Sequence, residues 1–451
     1  MANYIDAADY GFLPGALPGD NVKALQSAIE RGGTIQVDVP GVYDLDGTIR
    51  IGSDTALECG AGVYFRRVKK DGDDFSYSFV NKGAFTRTYD RNIRIQGLRL
   101  ICGGVDVGTD LILGLRSHLA FFYVKKLVIR DFECLDLLSR GFCIQVCTFE
   151  DLLVENAHIE GKKDAVHLGR GSKFAIRHGI FRTYDDPIAL NAHDYATSNP
   201  QLGWIEDGII EDCYDLDQEK TDGFFCRILA GSWSDWHKGM AVQHSDTVVC
   251  GGRLYRVAMR PDGANYISET PPSHLEGRAE YDGITWAMVQ DDACYECGCR
   301  NIHFRDIFLQ KKRPYAFSIH FDNDNWSRSV YPGSIMPMQR DLIFENIFFS
   351  SEIPCLILAA TPVNNIKLVN SVLQNSRIEL TSLPYMRDAY VKTDILLSGT
   401  TFRGIGGNLV VCDAGRTATL KVLGSIVEDD AAVFAVKGAV RTIAADIPLA
   451  Q

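Results

Sequence analysis

Residues 152–194 read LLVENAHIEGKKDAVHLGRGSKFAIRHGIFRTYDDPIALNAHD, and the second half repeats the first. The apolar triplet Leu152-Leu153-Val154 returns as Phe174-Ala175-Ile176 after 22 residues; at the same offset Asp164 returns as Asp186, with Asp185 beside it. A period of this length carrying one short apolar strand per repeat predicts a solenoid. In a parallel solenoid, equivalent positions on successive turns stack about 4.8 Å apart, the ordinary interstrand spacing. Asp164, Asp185 and Asp186 are therefore expected to gather on one face.

The same rhythm runs outward from this stretch. Short apolar nuclei stand at 92–95, 127–129, 208–210, 301–304, 342–344, 365–368, 395–397 and 420–422, with clear neighbours 22 to 25 residues apart. No long amphipathic helix interrupts them. The expected fold is all-β, a right-handed parallel β-helix. Residues 1–66 read as an N-terminal cap, 67–223 as helix carrying the aspartates, and 283–451 as continuation with a distal cap from about residue 376. Between 224 and 282 the rhythm gives way to denser short segments, among them Met240-Ala241-Val242-Gln243 and Asp246-Thr247-Val248-Val249 followed by Gly251-Gly252. These predict a small β-hairpin insertion, on the loop side where solenoids often bind.

The net charge of −12, with no long run of like charge, argues against nucleic acid, whose phosphates call for basic grooves. No stretch approaches the roughly 18 apolar residues of a membrane span. The start, MANYIDAADYGFLPG, lacks the basic and apolar regions of a secretory signal. Thirteen cysteines, most of them inside apolar strands, read as buried free thiols of a reducing compartment. A cytoplasmic location is expected unless a leader has been trimmed.

The N-terminal order is Asp9-Tyr10-Gly11, Gly19-Asp20, a helix with Ala24-Leu25-Gln26 and Ala28-Ile29, then Gly33-Thr34-Ile35 and Pro40-Gly41 before Tyr43. Asp20 or Asn21 is expected to cap that helix, whose apolar face would plug the open end of the first turn. This arrangement resembles the N-terminal cap of pectin-lyase-like β-helices, polygalacturonases included.

Three crowded carboxyl groups cannot all remain ionised without cations, so one serves as a proton donor beside an ionised base. Hydrolysis of a glycosidic bond uses that pairing. The competing reading is a polar turn in which the aspartates cap backbone amides or hold a cation. The resemblance to polygalacturonases of glycoside hydrolase family 28 points to catalysis. Those enzymes carry Asn-Thr-Asp, then Asp-Asp one turn later, then Gly-His-Gly and Arg-Ile-Lys. Here Lys162-Lys163-Asp164 stands at the first motif and Asp185-Asp186 matches the second. The resemblance implies Asp185 as general acid, with Asp164 and Asp186 holding the water of an inverting hydrolysis. The two later motifs are missing. Asp282-Gly283-Ile284-Thr285-Trp286 is read as the rung after the insertion, and Phe317-Ser318-Ile319-His320 stands where Arg-Ile-Lys would fall. Without that Arg and Lys, a neutral or differently decorated sugar is expected at the cleavage subsite.

Residues offered for substrate binding are His167, Asn191, His193, Asp194, Trp236, Asp282, Trp286, His320 and Asp322. All five tryptophans, Trp204, Trp233, Trp236, Trp286 and Trp326, follow the acid pair and could stack on sugar rings. Cys294-x2-Cys297-x-Cys299 lacks a second ligand pair and reads as stacked thiols, and Asp322-Asn323-Asp324-Asn325 lacks the Gly and Glu of a calcium loop. No cofactor and no metal site are called for. The expected partner is a carbohydrate; a homo-oligomer is compatible with a solenoid but not specified by the residues. Hydrolysis is the first reading. A polysaccharide lyase using Lys162, Lys163 and Arg170, and a non-catalytic carbohydrate-binding or tailspike-like fibre, are the alternatives.

Overall fold

Alternating apolar and polar residues within each short strand build the molecule, because one face of each strand turns to a common interior. The structure, a computed structural model, describes residues 4–450 other than 71, 73, 109, 111–112, 221, 382–390, 405 and 429–432. It is a right-handed parallel β-helix, and the chain divides into two compact units. The first comprises 1–189, 207–225 and 304–312, the second 190–206, 226–303 and 313–451.

The first unit has three columns of parallel strands. One column pairs 33–37 with 55–59, then 90–96 with 124–130, 117–130 with 142–155, and 149–155 with 171–177. Another pairs 133–137 with 158–161 and that strand with 180–183. The third includes 144–146 against 166–168. Ile93, Ile95, Leu127, Ile129, Leu152, Val154, Phe174 and Ile176 all point inward and are buried. At one corner Asp54, Asn92, Lys126, Asp151 and Lys173 all adopt positive φ, between 55° and 65°. Asn and Asp tolerate this left-handed conformation better than most residues, so the corner is written into the strand boundaries.

Pro18–Ile29 forms the capping helix and buries Ala24, Leu25, Ala28 and Ile29. It begins earlier than the sequence suggests: Pro18 takes the first position, where its missing N–H costs nothing. Asn21 is therefore not a cap. It is buried inside the first turn, where its Oδ1 accepts from Leu13 N at 3.2 Å and its Nδ2 donates to Asp44 O at 3.4 Å. Among the described residues no helix is long and apolar enough to cross a membrane.

In the second unit, Cys226–Leu229 pairs with 317–320, and parallel columns continue through 355–359, 377–380, 410–412 and 433–437 to Leu449–Ala450. A parallel column also runs through 391–398, 416–423 and 440–445. Rungs thus persist beyond residue 376, where the sequence suggested a cap.

The antiparallel insertion is larger than 224–282. It begins where Gly231–Ser232 pairs with Glu296–Cys297, and it includes Ile284–Gln290 lying between 253–257 and 278–281. The segment Asp282–Trp286 is therefore part of a hairpin of the insertion and not a resumed rung.

Candidate active site

Asp164 follows the strand His158–Gly161, and Asp185-Asp186 follows Ile180–Thr183. These strands pair in register, His158 with Ile180 through Gly161 with Thr183, and Ala165 N donates to Asp186 O at 3.1 Å. The 22-residue offset thus carries Asp164 onto Asp186. A carboxylate oxygen from each of Asp164, Asp185 and Asp186 lies within 4.8 Å of the other two. Asp164 and Asp186 are 3% and 1% exposed, whereas the Asp185 side chain keeps 27% of its surface. The most accessible of the three is Asp185.

Neighbouring side chains fix this cluster. His167 is fully buried, lies flat on the Phe142 ring at 3.9 Å, and places Nδ1 at 2.9 Å from Asp164 Oδ2. It orients Asp164 and has no surface with which to bind substrate, contrary to the sequence expectation. Lys163 bonds Asp185 Oδ2 and lies 3.6 Å from Asp164 Oδ1, so an ammonium is built into the acid group. The three carboxylates alone would form an oxygen-rich cation site; Lys163 already supplies a positive charge there.

The turn next to the acid pair is Asp222-Gly223-Phe224. Phe224 N donates to Asp186 Oδ1 at 2.7 Å. Gly223 has φ +70°, and a Cβ there would stand 2.8 Å from both Asp185 C and Asp186 Oδ1. The buried Lys311 ties the two turns together, donating to Thr183 O at 2.8 Å, Tyr184 O at 3.1 Å and Asp222 O at 3.3 Å. Sequence reading did not assign Gly223, Phe224 or Lys311 to the site. The approach of Asp222–Phe224 became visible only through the fold, because that turn is longer: Ile180 pairs with Tyr214, not with a residue 22 positions on.

The second unit gathers another group of the predicted residues around Arg227. Its Nη2 is 2.8 Å from Asp322 Oδ2 and 3.4 Å from Asp194 Oδ2. Asp194 also accepts from Asn191 Nδ2 and Ser198 Oγ, each at 2.8 Å. His320 sits 3.2 Å from Asp322 Oδ1 through Nε2 and 2.9 Å from Ser318 Oγ through Nδ1. Burial alone would raise the Asp322 carboxyl, but the Arg227 guanidinium and the His320 hydrogen bond outweigh it and hold it far below the usual carboxylate range. His193 is buried against Ser329 Oγ at 3.1 Å; burial, then Arg256, pushes its imidazole well below its ordinary value, so it is neutral. Arg227, like Lys163, is a cation the sequence reading left out of the binding set.

Three predicted residues have other tasks. Trp286 is wholly buried in the apolar core of the insertion with Tyr255, Val257 and Ile284, and presents no face to a ligand. Trp236 is partly buried against that core and donates Nε1–H to Ser268 Oγ at 2.8 Å. Asp282, at φ 54°, ties a loop by accepting from Glu269 N at 2.8 Å, Thr270 N at 2.5 Å and Thr270 Oγ1 at 2.9 Å. Trp233 is buried, Trp204 lies beneath the Arg300 guanidinium, and Trp326 is mostly exposed. In the Asp322–Asn325 run, Asp324 Oδ1 accepts from Trp326 N and Ser327 N, which makes it a loop cap. The sulfhydryls of Cys294 and Cys299 point to the carbonyls of Leu202 and Leu190.

No protein-family model matches the sequence, and no curated protein sequence matches it. Solved structures do match the fold. The surface adhesin PfbA of Streptococcus pneumoniae is 12% identical with a TM-score of 0.51, covering 98% of this chain and 100% of the adhesin chain. A family 28 exopolygalacturonase of Yersinia enterocolitica is 11% identical with a TM-score of 0.51, over 98% of this chain and 78% of that one. The tailspike of Escherichia coli bacteriophage HK620, solved with a pentasaccharide, is 10% identical with a TM-score of 0.50, over 97% and 75%. At these identities the likeness is one of fold alone, the parallel β-helix.

Proposed function

We propose that this chain acts on a glycan and hydrolyses an O-glycosidic bond at Asp164, Asp185 and Asp186. The observation that carries the reading is the mutual approach of the three carboxylates, within 4.8 Å, with only Asp185 substantially open to solvent. A group that donates a proton to a leaving oxygen must reach the substrate, which suits Asp185. Asp164 and Asp186, oriented by His167 and Phe224 N, suit the holding of water. A fold shared with an exopolygalacturonase and with a tailspike solved with a pentasaccharide supports a carbohydrate as the ligand. In the second unit, taken by itself, the partial exposure of His320 and Asp322, whose side chains keep 17% and 23% of their surface, supports reading them as ligand-binding residues, with Asn191, His193 and Asp194 buried. Inversion follows from the resemblance to family 28. The close carboxylates favour a second reading, retention, because inverting pairs ordinarily stand about 6.5–9.5 Å apart and retaining pairs about 5–5.5 Å.

The test is a panel of defined oligosaccharides, neutral and uronate-containing, assayed for new reducing ends and for the ultraviolet absorbance of an unsaturated product. Hydrolysis gives reducing ends alone and is lost in Asp185→Asn, which still binds the ligand. The first-formed anomer, read by proton NMR, separates inversion from retention. An unsaturated product assigns a lyase, binding without turnover assigns an adhesin-like role, and unchanged turnover in Asp185→Asn refutes the assignment of the acid.

A further inference from the structure

The first unit holds a second group of ligating side chains inside the solenoid. Cys102 lies just after the strand Leu100–Ile101, Cys134 and Asp136 belong to Glu133–Leu137, and His118 belongs to Ser117–Arg130. Cys102 Sγ is 3.7 Å from Cys134 Sγ and 3.5 Å from His118 Nε2. A carboxylate oxygen of Asp136 and the two sulfurs all lie within 4.8 Å of one another. Cys102, Cys134 and His118 are fully buried. Tetrahedral zinc, with Zn–S of about 2.3 Å and Zn–N of about 2.0–2.1 Å, holds two sulfurs about 3.8 Å apart and a sulfur and nitrogen about 3.5 Å apart. The two measured separations fit those edges.

Two further observations point to a ligand here. Among the described residues, His118 Nδ1 is buried with no hydrogen-bond partner. Arg67 is 1% exposed; Nη1 donates to Ser78 Oγ and Nη2 to Phe75 O and Asp106 O, and among the described residues it has no ion pair. An isolated buried guanidinium is costly and calls for a nearby anion; Arg66 pairs with Ile101, which sets Arg67 beside Cys102 along the column. We propose that Cys102, Cys134 and Asp136 bind a zinc-class divalent cation, with His118 turning onto it as the fourth ligand. Two thiolates, one carboxylate and the ion sum to a single negative charge, which Arg67 balances. Binding releases the two thiol protons to solvent, since the metal takes the thiolate form. Asp136, half-buried, already fixes its carboxylate through Cys102 N at 2.8 Å and Gly103 N at 2.9 Å, and it supplies the way in.

The experiment uses the full chain produced with added zinc, and in parallel with cobalt, followed by removal of loose ions and elemental analysis. The expected result is about one equivalent of zinc per chain, and in the cobalt form a thiolate-to-cobalt charge-transfer band with tetrahedral d–d absorption. Cys134→Ser should lose the metal, Asp136→Asn should weaken it by about tenfold or more, and Cys294→Ser should leave it unchanged. Folded wild-type chain without stoichiometric zinc or a cobalt–thiolate band overturns the proposal. Retention of the metal by Cys134→Ser does the same. Should Cys134→Ser fail to fold, the wild-type cobalt spectrum and Asp136→Asn decide the matter.

Discussion

Nδ1 of His167 lies 2.9 Å from Oδ2 of Asp164, and both side chains are closed off from solvent. A buried carboxylate needs its hydrogen-bond partners, and losing one costs about 1–3 kcal/mol. His167→Phe keeps the ring stacked on Phe142 but removes the bond. On the proposed hydrolysis, its kcat should fall about a hundredfold with little change in KM, while His167→Asn, still able to donate, recovers part of the loss. A wild-type kcat in His167→Phe would show that Asp164 needs no such orientation.

Lys163 joins Asp185 and approaches Asp164, supplying a positive charge among the three carboxylates. Lys163→Met leaves the three oxygens within 4.8 Å of one another without that ammonium, an arrangement suited to a hard divalent cation. Added calcium should therefore raise the melting temperature of Lys163→Met well beyond any change in the wild type. Turnover without calcium should fall in the variant. Equal responses of the two proteins to calcium would contradict the electrostatic role of Lys163.

Gly223 occupies a left-handed turn where a Cβ would stand 2.8 Å from Asp185 C and Asp186 Oδ1. Gly223→Ala must push the acid pair or distort the turn. A stability loss of about 1–3 kcal/mol in urea unfolding is expected, together with a larger proportional loss of turnover. If the variant matches wild type in both, the turn has room that its geometry denies.

These residues also mark the limits of the sequence. The column Asp164–Asp186 was legible because its turns keep one length, so a constant offset in the chain becomes adjacency in space. The strand nuclei were legible for the same reason, each alternating inward apolar residues such as Leu152 and Val154 with outward polar ones. Gly223 and Lys311 were hidden because the turns that deliver them are longer and break the offset. Trp286 misled because a tryptophan beside Gly283 reads the same whether its strand continues a rung or closes a hairpin. The Cys102–Cys134 contact was likewise invisible, since it joins two rungs at a sequence separation that carries no motif.

Asp322 makes the pH dependence specific. Arg227 and His320 hold its carboxyl far below the ordinary value, against the upward push of burial, while in the unfolded chain it should titrate near about 3.9. A carboxyl depressed by folding contributes stability at every pH above its unfolded value and loses that contribution as pH falls through the folded one. Asp322→Asn removes this charge and leaves Arg227 with Asp194 at 3.4 Å. The variant should unfold at lower urea than wild type at neutral pH, by about 2–3 kcal/mol. The gap should stay constant down to about pH 4 and close progressively in stronger acid. Urea midpoints measured across that range give the test: a gap that widens as acid is added would mean that Asp322 gains nothing from Arg227 in the folded chain.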